Sequence, residues 1–214
     1  MAELPNLEGS RKIAPCGRTT VLYSVGDRAD CIFFLESGLV KEVKRSEEGR
    51  ELLVSLIRSG EWFGEQAVIS DGVRECSAQA IKESVVHIIP AEPFRRMCHR
   101  KPDMWLWIAD LLDRRLREQN RKLELMAFHR VDQRILYLLI DMAEIFGTYS
   151  AGKVSLSVPL SQAELASLVG ATRETTSTIL NTLERRGLLR LGRRLLHVPS
   201  LEALRAAAAQ RAAV

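Results

Sequence analysis

The chain has 214 residues, 46% hydrophobic and 27% charged, with a formal net charge of +4. That length suits one large domain or two modest ones, and the composition is that of an ordinary soluble globular protein. No apolar run approaches the roughly 18 residues a membrane span needs, and "MAELPNLEGSRKIAPCG" lacks the basic start and apolar core of a signal peptide, so a cytoplasmic protein with no membrane partner is expected. Cys16, Cys31, Cys76 and Cys98 form no C-x-x-C pair and are irregularly spaced, which argues against a zinc site and for buried free thiols. The charge is uneven: residues 151–214 carry nine Lys/Arg against four acids, or +5, leaving −1 for residues 1–150. A basic C-terminal module on a near-neutral body suits a polyanionic partner.

In chain order, residues 17–92 read as β-rich. Short apolar segments recur between turn signals at Gly26-Asp27, Ser37-Gly38, Glu48-Gly49, Ser59-Gly60 and Asp71-Gly72, the spacing of a sandwich, barrel or roll. "VKEVKR" (40–45) reads as an alternating strand with one wet face, and "SVVHII" (84–89) as a core strand. Residues 103–128 change period. Ala109, Leu116 and Leu123 lie seven apart, and Trp105, Leu112, Gln119 and Met126 form a second series. This a/d seam lasts about three heptads, enough for a parallel dimer helix; the competing reading is a helix packed on its own β domain. Gln119 on a d position sets register or meets a ligand. Another amphipathic helix follows over 131–147, stopped by Gly147. "TYSAGKVSLSVP" then reads as a linker and a short strand ended by Pro159.

The most informative stretch comes next. In "LSQAELASLVG" Ser161 is followed three residues later by Glu164, a capping box at a helix start. Gly170 can take a sharp turn, and Thr172 offers the N-cap of a second helix; the spacing fits a helix–turn–helix. "GLLRLGRRLLHV" reads as a hairpin wing around Gly192-Arg193-Arg194. The second helix displays Arg173, Glu174, Ser177, Thr178 and Asn181 on one side and keeps Thr176, Ile179, Leu180 and Leu183 on the other. A helix that enters the DNA major groove N-terminus first needs a slim face whose groups match base edges. Arg can fork onto guanine and Glu can accept from the cytosine amino group, so Arg173 and Glu174 could read a G·C-containing step, with Ser177 and Thr178 making short contacts. Ser161, Gln162, Thr172, Thr175, Arg193 and Arg194 would hold phosphates.

On these residues the chain resembles the Crp/Fnr (cyclic AMP receptor protein) superfamily of bacterial transcription regulators. The resemblance runs from about residue 17 to 200. It is carried by "VGATRETTSTILNTLERRGLL", "VGDRADCIFFLESGLVK", "GEWFGE…SA" and the long helix between modules. It implies an α+β chain with an N-terminal β-roll (a jelly-roll, cyclic-nucleotide-binding-like domain, 1–103), a dimerisation helix (104–130) and a winged helix–turn–helix (131–214). It further implies homodimers on two-fold symmetric DNA and contact with RNA polymerase. Thr178 stands where the family often has a further Arg, which implies a TGTGA-type half-site looser at one base pair.

The family's nucleotide signature is a Gly-Glu followed, after a loop, by Arg and a hydroxyl residue. The Glu takes the ribose hydroxyl and the Arg neutralises the cyclic phosphate. Gly64-Glu65 and Ser77-Ala78 match. Cys76 stands just before Ser77 where Arg is usual, and Arg74 could fill that role if the loop is shifted. Glu75 would then sit beside the phosphate and repel it. Gln119 and Asn120 fall where relatives place polar groups against the adenine. Three readings stay open: a cyclic nucleotide such as cyclic AMP, another small effector or none (Glu65 and Arg74 then forming a salt bridge in an empty roll), or a metal or redox cofactor. An iron–sulfur cluster is not expected from the spacing of Cys16 and Cys31, and His87 and His99 read as ordinary structural histidines. No catalytic triad, phosphate-gripping Gly loop or metal-ligand cluster argues for an enzyme. Two alternatives to an effector-gated regulator are a constitutive one with a degenerate pocket and a nucleotide-sensing subunit with no DNA role.

Overall fold

The computed structural model describes residues 9–49, 51–150, 153–156, 160–192 and 195–210. The chain divides into two compact units, Met1–Arg117 and Glu118–Val214. No described helix is long and apolar enough to cross a membrane.

The first unit runs β1 (Arg11–Cys16), β2 (Val21–Tyr23), β3 (Cys31–Ser37), β4 (Leu39–Arg45), β5 (Glu51–Arg58), β6 (Trp62–Phe63), the one-turn helix α1 (Gln66–Ile69), β7 (Ser77–Ala80), β8 (Ser84–Pro90), α2 (Ala91–Arg100) and the start of α3 (Asp103–Phe128). The strands form two antiparallel four-stranded sheets, ordered β1-β8-β3-β6 and β2-β7-β4-β5. One core cluster holds Tyr23, Phe33, Leu35, Val40, Ile57, Phe63 and Val86, drawn from both sheets. Each such side chain contributes on the order of 1.5–3 kcal/mol by leaving water. A second cluster joins Ile32, Trp62 and Ile89 to Phe94 and Cys98 of α2 and to Ile108 and Leu111 of α3. The first sheet is therefore covered on both sides, which is why "SVVHII" is a nearly unbroken apolar run.

"VKEVKR" departs from its expected alternation. Lys41 is buried along with Val40 and Val43, while the Glu42 side chain reaches Tyr23. The register against β5 shifts between Glu42, opposite Ser55, and Val43, opposite Leu53. A bulge of this kind lets consecutive residues turn to the same side, so a polar pattern cannot be mapped onto faces by counting in twos.

On α3, Ile108 and Leu111 are buried against the roll, whereas Leu116 and Leu123 are 59% and 64% exposed. Leu112 and Ala109 are exposed as well. The two readings of this helix are thus compatible: one stripe packs on its own domain and another is left apolar and open. Two seam residues make contacts within their own chain. The Trp105 ring lies 5.5 Å from that of His99, and the Met126 methyl lies 3.3 Å from where a Cβ on Gly170 would sit.

The second unit continues α3 into α4 (Val131–Phe146), β9 (Gly147–Ser150), β10 (Lys153–Leu156), α5 (Gln162–Val169), α6 (Arg173–Arg185), β11 (Arg190–Gly192), β12 (Leu195–Val198) and α7 (Leu201–Gln210). Its sheet is ordered β11-β12-β10-β9. "TYSAGKVSLSVP" is therefore largely a paired hairpin and not a linker: Ser150 pairs with Lys153 and Gly147 with Leu156, and Val154 and Leu156 are buried. Pro159 lies outside the described residues. α4 is the spine, packing on α5, α6, α7 and β10 through buried Ile135, Leu136, Leu139 and Met142. α7, which no motif announced, is anchored by buried Leu204, Ala207 and Ala208.

Candidate functional site

The helix–turn–helix is held by reciprocal local bonds. At the start of α5 the Ser161 hydroxyl accepts from the Glu164 N–H at 3.2 Å, and the Glu164 carboxylate accepts from the Ser161 N–H at 2.7 Å. The Ser161 hydroxyl also donates to that carboxylate at 2.9 Å, so its proton is engaged within the cap. Gly170 ends the helix at φ +61°, the left-handed region that a Cβ makes costly. The Ala171 N–H returns to the Ala166 carbonyl at 3.0 Å. Thr172 caps α6 by accepting from the Thr175 N–H at 3.1 Å, and the two hydroxyls lie 3.0 Å apart.

α6 then presents two chemically different faces. Thr176, Leu180 and Leu183 are buried, with Ile179 half-buried. Arg173, Glu174, Thr175, Thr178 and Asn181 are exposed and Ser177 is half-buried. The helix is set against the wing by Glu184, whose carboxylate accepts from the Leu191 N–H at 2.7 Å. Arg193 and Arg194 lie outside the described residues; the flanking residues Gly192 and Leu195 are paired. Beside α6 lies a groove of about 490 Å³, lined among others by Arg130, Arg134, Thr175, Ile179 and Arg186, which no local sequence pattern announces. Arg134 is fixed there by donating to the Val169 carbonyl at 2.7 Å. Its arginines are scattered along the sequence, so only folding reveals them as a group.

The roll gathers a second set. Arg74 is 3% exposed. It donates to the Gly64 carbonyl at 3.0 Å and to the Cys31 carbonyl, rather than to Glu65. Its guanidinium carbon lies 4.4 Å from the Tyr23 ring centroid and 5.4 Å from that of Phe33, a cation–π arrangement. Phe33 and Phe63 stack at 5.1 Å. The Arg74 Nε has no partner. Gly64 has φ +70°, and a Cβ there would come within 3.0 Å of both Arg74 and Phe33. Glu65 precedes α1 and is half-buried.

One expectation about this pocket needs correction. Glu75 does not sit beside the guanidinium: it is exposed and pairs with Lys44 at 3.3 Å. The acid close to Arg74 is Glu42, which accepts from the Tyr23 hydroxyl at 2.6 Å. Burial raises its pKa, opposed by that hydrogen bond and by the charges of Arg115 and Arg74. The Ser77 hydroxyl accepts from the Val25 N–H at 3.0 Å. Gln119 is half-buried and Asn120 exposed, both on α3 in the second unit. Tyr23, Glu42 and Arg115 escaped notice because each belongs to a different element. Arg115 bonds Ser55 at 2.7 Å and the Trp62 carbonyl at 3.0 Å.

All four cysteines are free. Burial pushes Cys31 up to about 11 and Cys76 to about 12, which keeps both as thiols rather than reactive thiolates. Among the described residues no three His, Cys, Asp or Glu side chains form a metal-ligating group.

Comparison with known proteins agrees with both halves. The chain matches the cyclic nucleotide-binding domain family over residues 16–101 and the Crp-like helix-turn-helix domain family over residues 133–207. A CRP-like cAMP-activated global transcriptional regulator from Mycobacterium tuberculosis is 32% identical over 83% of this chain and 78% of its own. The chain belongs to the Crp/Fnr family of transcription regulators. A CRP/FNR-family regulator from Thermus thermophilus superposes with a TM-score of 0.77 at 27% identity, covering 94% of this chain and 98% of its own. A c-di-GMP-responsive global regulator from Xanthomonas campestris does so with a TM-score of 0.76 at 26% identity, covering 88% and 92%. As a member of this family the chain is a DNA-binding transcription regulator and not an enzyme. The relatives' names differ in effector, so family membership leaves the ligand open.

Proposed function

We propose that the protein acts in the cytoplasm as a homodimer on a two-fold symmetric DNA site and that its roll senses a small anion, a cyclic nucleotide being the first candidate. The observation that carries the DNA half is the α6 face: Arg173, Glu174 and Thr178 exposed at the capped end of the helix, with Thr176 and Leu180 buried behind. Arg173, Glu174, Ser177 and Thr178 read bases. Gln162, Thr172 and Thr175, with Ser161, Arg193 and Arg194, hold phosphates, joined by the arginines of the neighbouring groove. The exposed Leu116 and Leu123 stripe supports pairing along α3, which would set two recognition helices about 34 Å apart. A change in the roll is passed along α3, where roughly 1–3 kcal/mol of coupling suffices for a switch. RNA polymerase is the proposed protein partner.

A second reading is favoured by one observation. Arg74 already has two backbone acceptors and two aromatic rings, so the roll is stable without a ligand and the regulator could act constitutively. A DNA titration on a TGTGA-type palindrome, with and without cyclic AMP over a salt series, separates the two. Nucleotide-dependent binding supports the sensor. Equal, salt-sensitive binding supports the constitutive regulator. Absence of salt-sensitive binding overturns the DNA reading.

A further inference from the structure

The roll interior holds one acidic side chain that the established motif does not use. Glu42 projects from β4 and grips the Tyr23 hydroxyl at 2.6 Å. On the face of the same tyrosine ring lies the Arg74 guanidinium, 4.4 Å from the centroid. A single ring thus separates a buried cation from an anion. Arg74 has carbonyl partners but no carboxylate of its own, and its Nε is unbonded. An arginine buried in this way needs a compensating negative charge nearby. Glu42 acts on Arg74 through space, alongside a stronger coupling of the same carboxylate to Arg115.

We propose that Glu42 is a built-in counter-charge to Arg74, and that a monoanionic ligand entering the roll takes over this role while Glu42 takes up one proton from solvent. The proposal rests on the reading of the roll as an anion sensor and adds to it a determinant of affinity. Two negative charges around one guanidinium repel each other, so the ligand and the ionised Glu42 compete. Protonation ends the competition. The neutral carboxyl can still accept from Tyr23, so the hydrogen bond survives the change.

The other titratable and charged groups around Glu42 are Tyr23 from β2, Arg74 and Cys76 from the segment before β7, Glu65 before α1 and Arg115 from α3. Glu65 adds to the repulsion and Arg115 opposes it. Tyr23 and Cys76 stay protonated through neutral pH, since burial drives both upward. Burial also disfavours the ionised Glu42 carboxylate, the same direction as the proposed proton uptake. If one proton enters with the ligand, affinity weakens as pH rises above the free-state pKa of Glu42, by up to about tenfold per pH unit.

The test uses the full chain and cyclic AMP as probe, with calorimetric titrations between pH 6 and 8.5 in two buffers of different ionisation enthalpy, on the wild type and on Glu42→Gln. The amide keeps the shape and an acceptor for Tyr23 but carries no charge. The expected result is net proton uptake and pH-dependent affinity in the wild type. Glu42→Gln should bind about tenfold or more tightly at pH 8, with no pH slope. A silent wild type with a binding Glu42→Gln supports the proposal most strongly. Equal affinity and slope in the two proteins, weaker binding by the variant, or binding by the wild type without proton uptake overturns the proposal and leaves the sensor standing. Failure of both proteins to bind at millimolar cyclic AMP overturns the sensor for this ligand class and the proposal with it. Where the wild type binds, its two-buffer measurement decides the matter even if the variant fails to fold.

Discussion

The two candidate sites handle their polar side chains in opposite ways. In the winged unit they are turned outward and held by neighbours in sequence: Ser161 by Glu164, Thr172 by Thr175. In the roll they are turned inward and held by residues far apart: Arg74 by Gly64 and Cys31, Glu42 by Tyr23. The first arrangement is a display, ready for a partner whose shape is always the same. The second is a closed circuit that a ligand must break into. A site of the first kind is readable from local pattern, and its chemistry is stable to small changes elsewhere. A site of the second kind changes its specificity with one buried charge.

Breaking the comparison most severely means separating the two readers. Leu116→Glu combined with Leu123→Glu should abolish pairing and reduce affinity for the palindrome by roughly 10²–10⁴-fold, the advantage of linked sites. Analytical ultracentrifugation together with a DNA titration checks this, and a dimer that persists would place the interface elsewhere.

Phe63→Ala, which removes the fully buried ring stacked on Phe33, should cost the roll about 3–5 kcal/mol. Scanning calorimetry should lose the roll transition and keep that of the winged unit; a joint shift of both would show that the two units unfold together. Arg173→Ala should remove about 1–3 kcal/mol of base discrimination without altering nucleotide affinity. Selection of bound sequences from a random pool would then show relaxed preference at one position per half-site. Thr172→Ala should cost about 1 kcal/mol through the lost cap, visible as a lower melting temperature of the winged unit alone.

The smallest effect concerns pH. Glu42 has a folded pKa above its unfolded one, so the folded state holds the proton more firmly. Its contribution is fully present below the unfolded carboxylate range, about 4.3, and is lost as pH rises through the folded pKa. The melting temperature of Glu42→Gln relative to the wild type, followed by calorimetry across that interval, should therefore rise with pH.

How much could be read in advance differs between the two sites for a physical reason. Capping boxes and left-handed turns are settled by bonds spanning three or four residues. Ser161 with Glu164, Gly170, and Thr172 with Thr175 therefore declared the helix–turn–helix, and its polar face followed from the helical period. The roll's signature was recognisable at Gly64-Glu65 and Arg74, but the polar neighbour of Arg74 was not. Glu75 is adjacent in sequence and points to Lys44; Glu42 is 32 positions away and points inward. A register shift in the β4–β5 pair makes the difference, and nothing in "VKEVKR" signals it.

The family, the order of the elements, the helix–turn–helix with its outward Arg173-Glu174 pair, and the apolar repeat on α3 are all legible in consecutive residues. These depend on short-range bonds and on periodicity, which are written in consecutive residues. Which α3 stripe the roll covers, which scattered arginines gather beside α6, and which acid shares the roll interior with Arg74 emerge only on folding. Those outcomes depend on sheet register and on packing between distant segments, where a shift of one residue turns a side chain from water to the core.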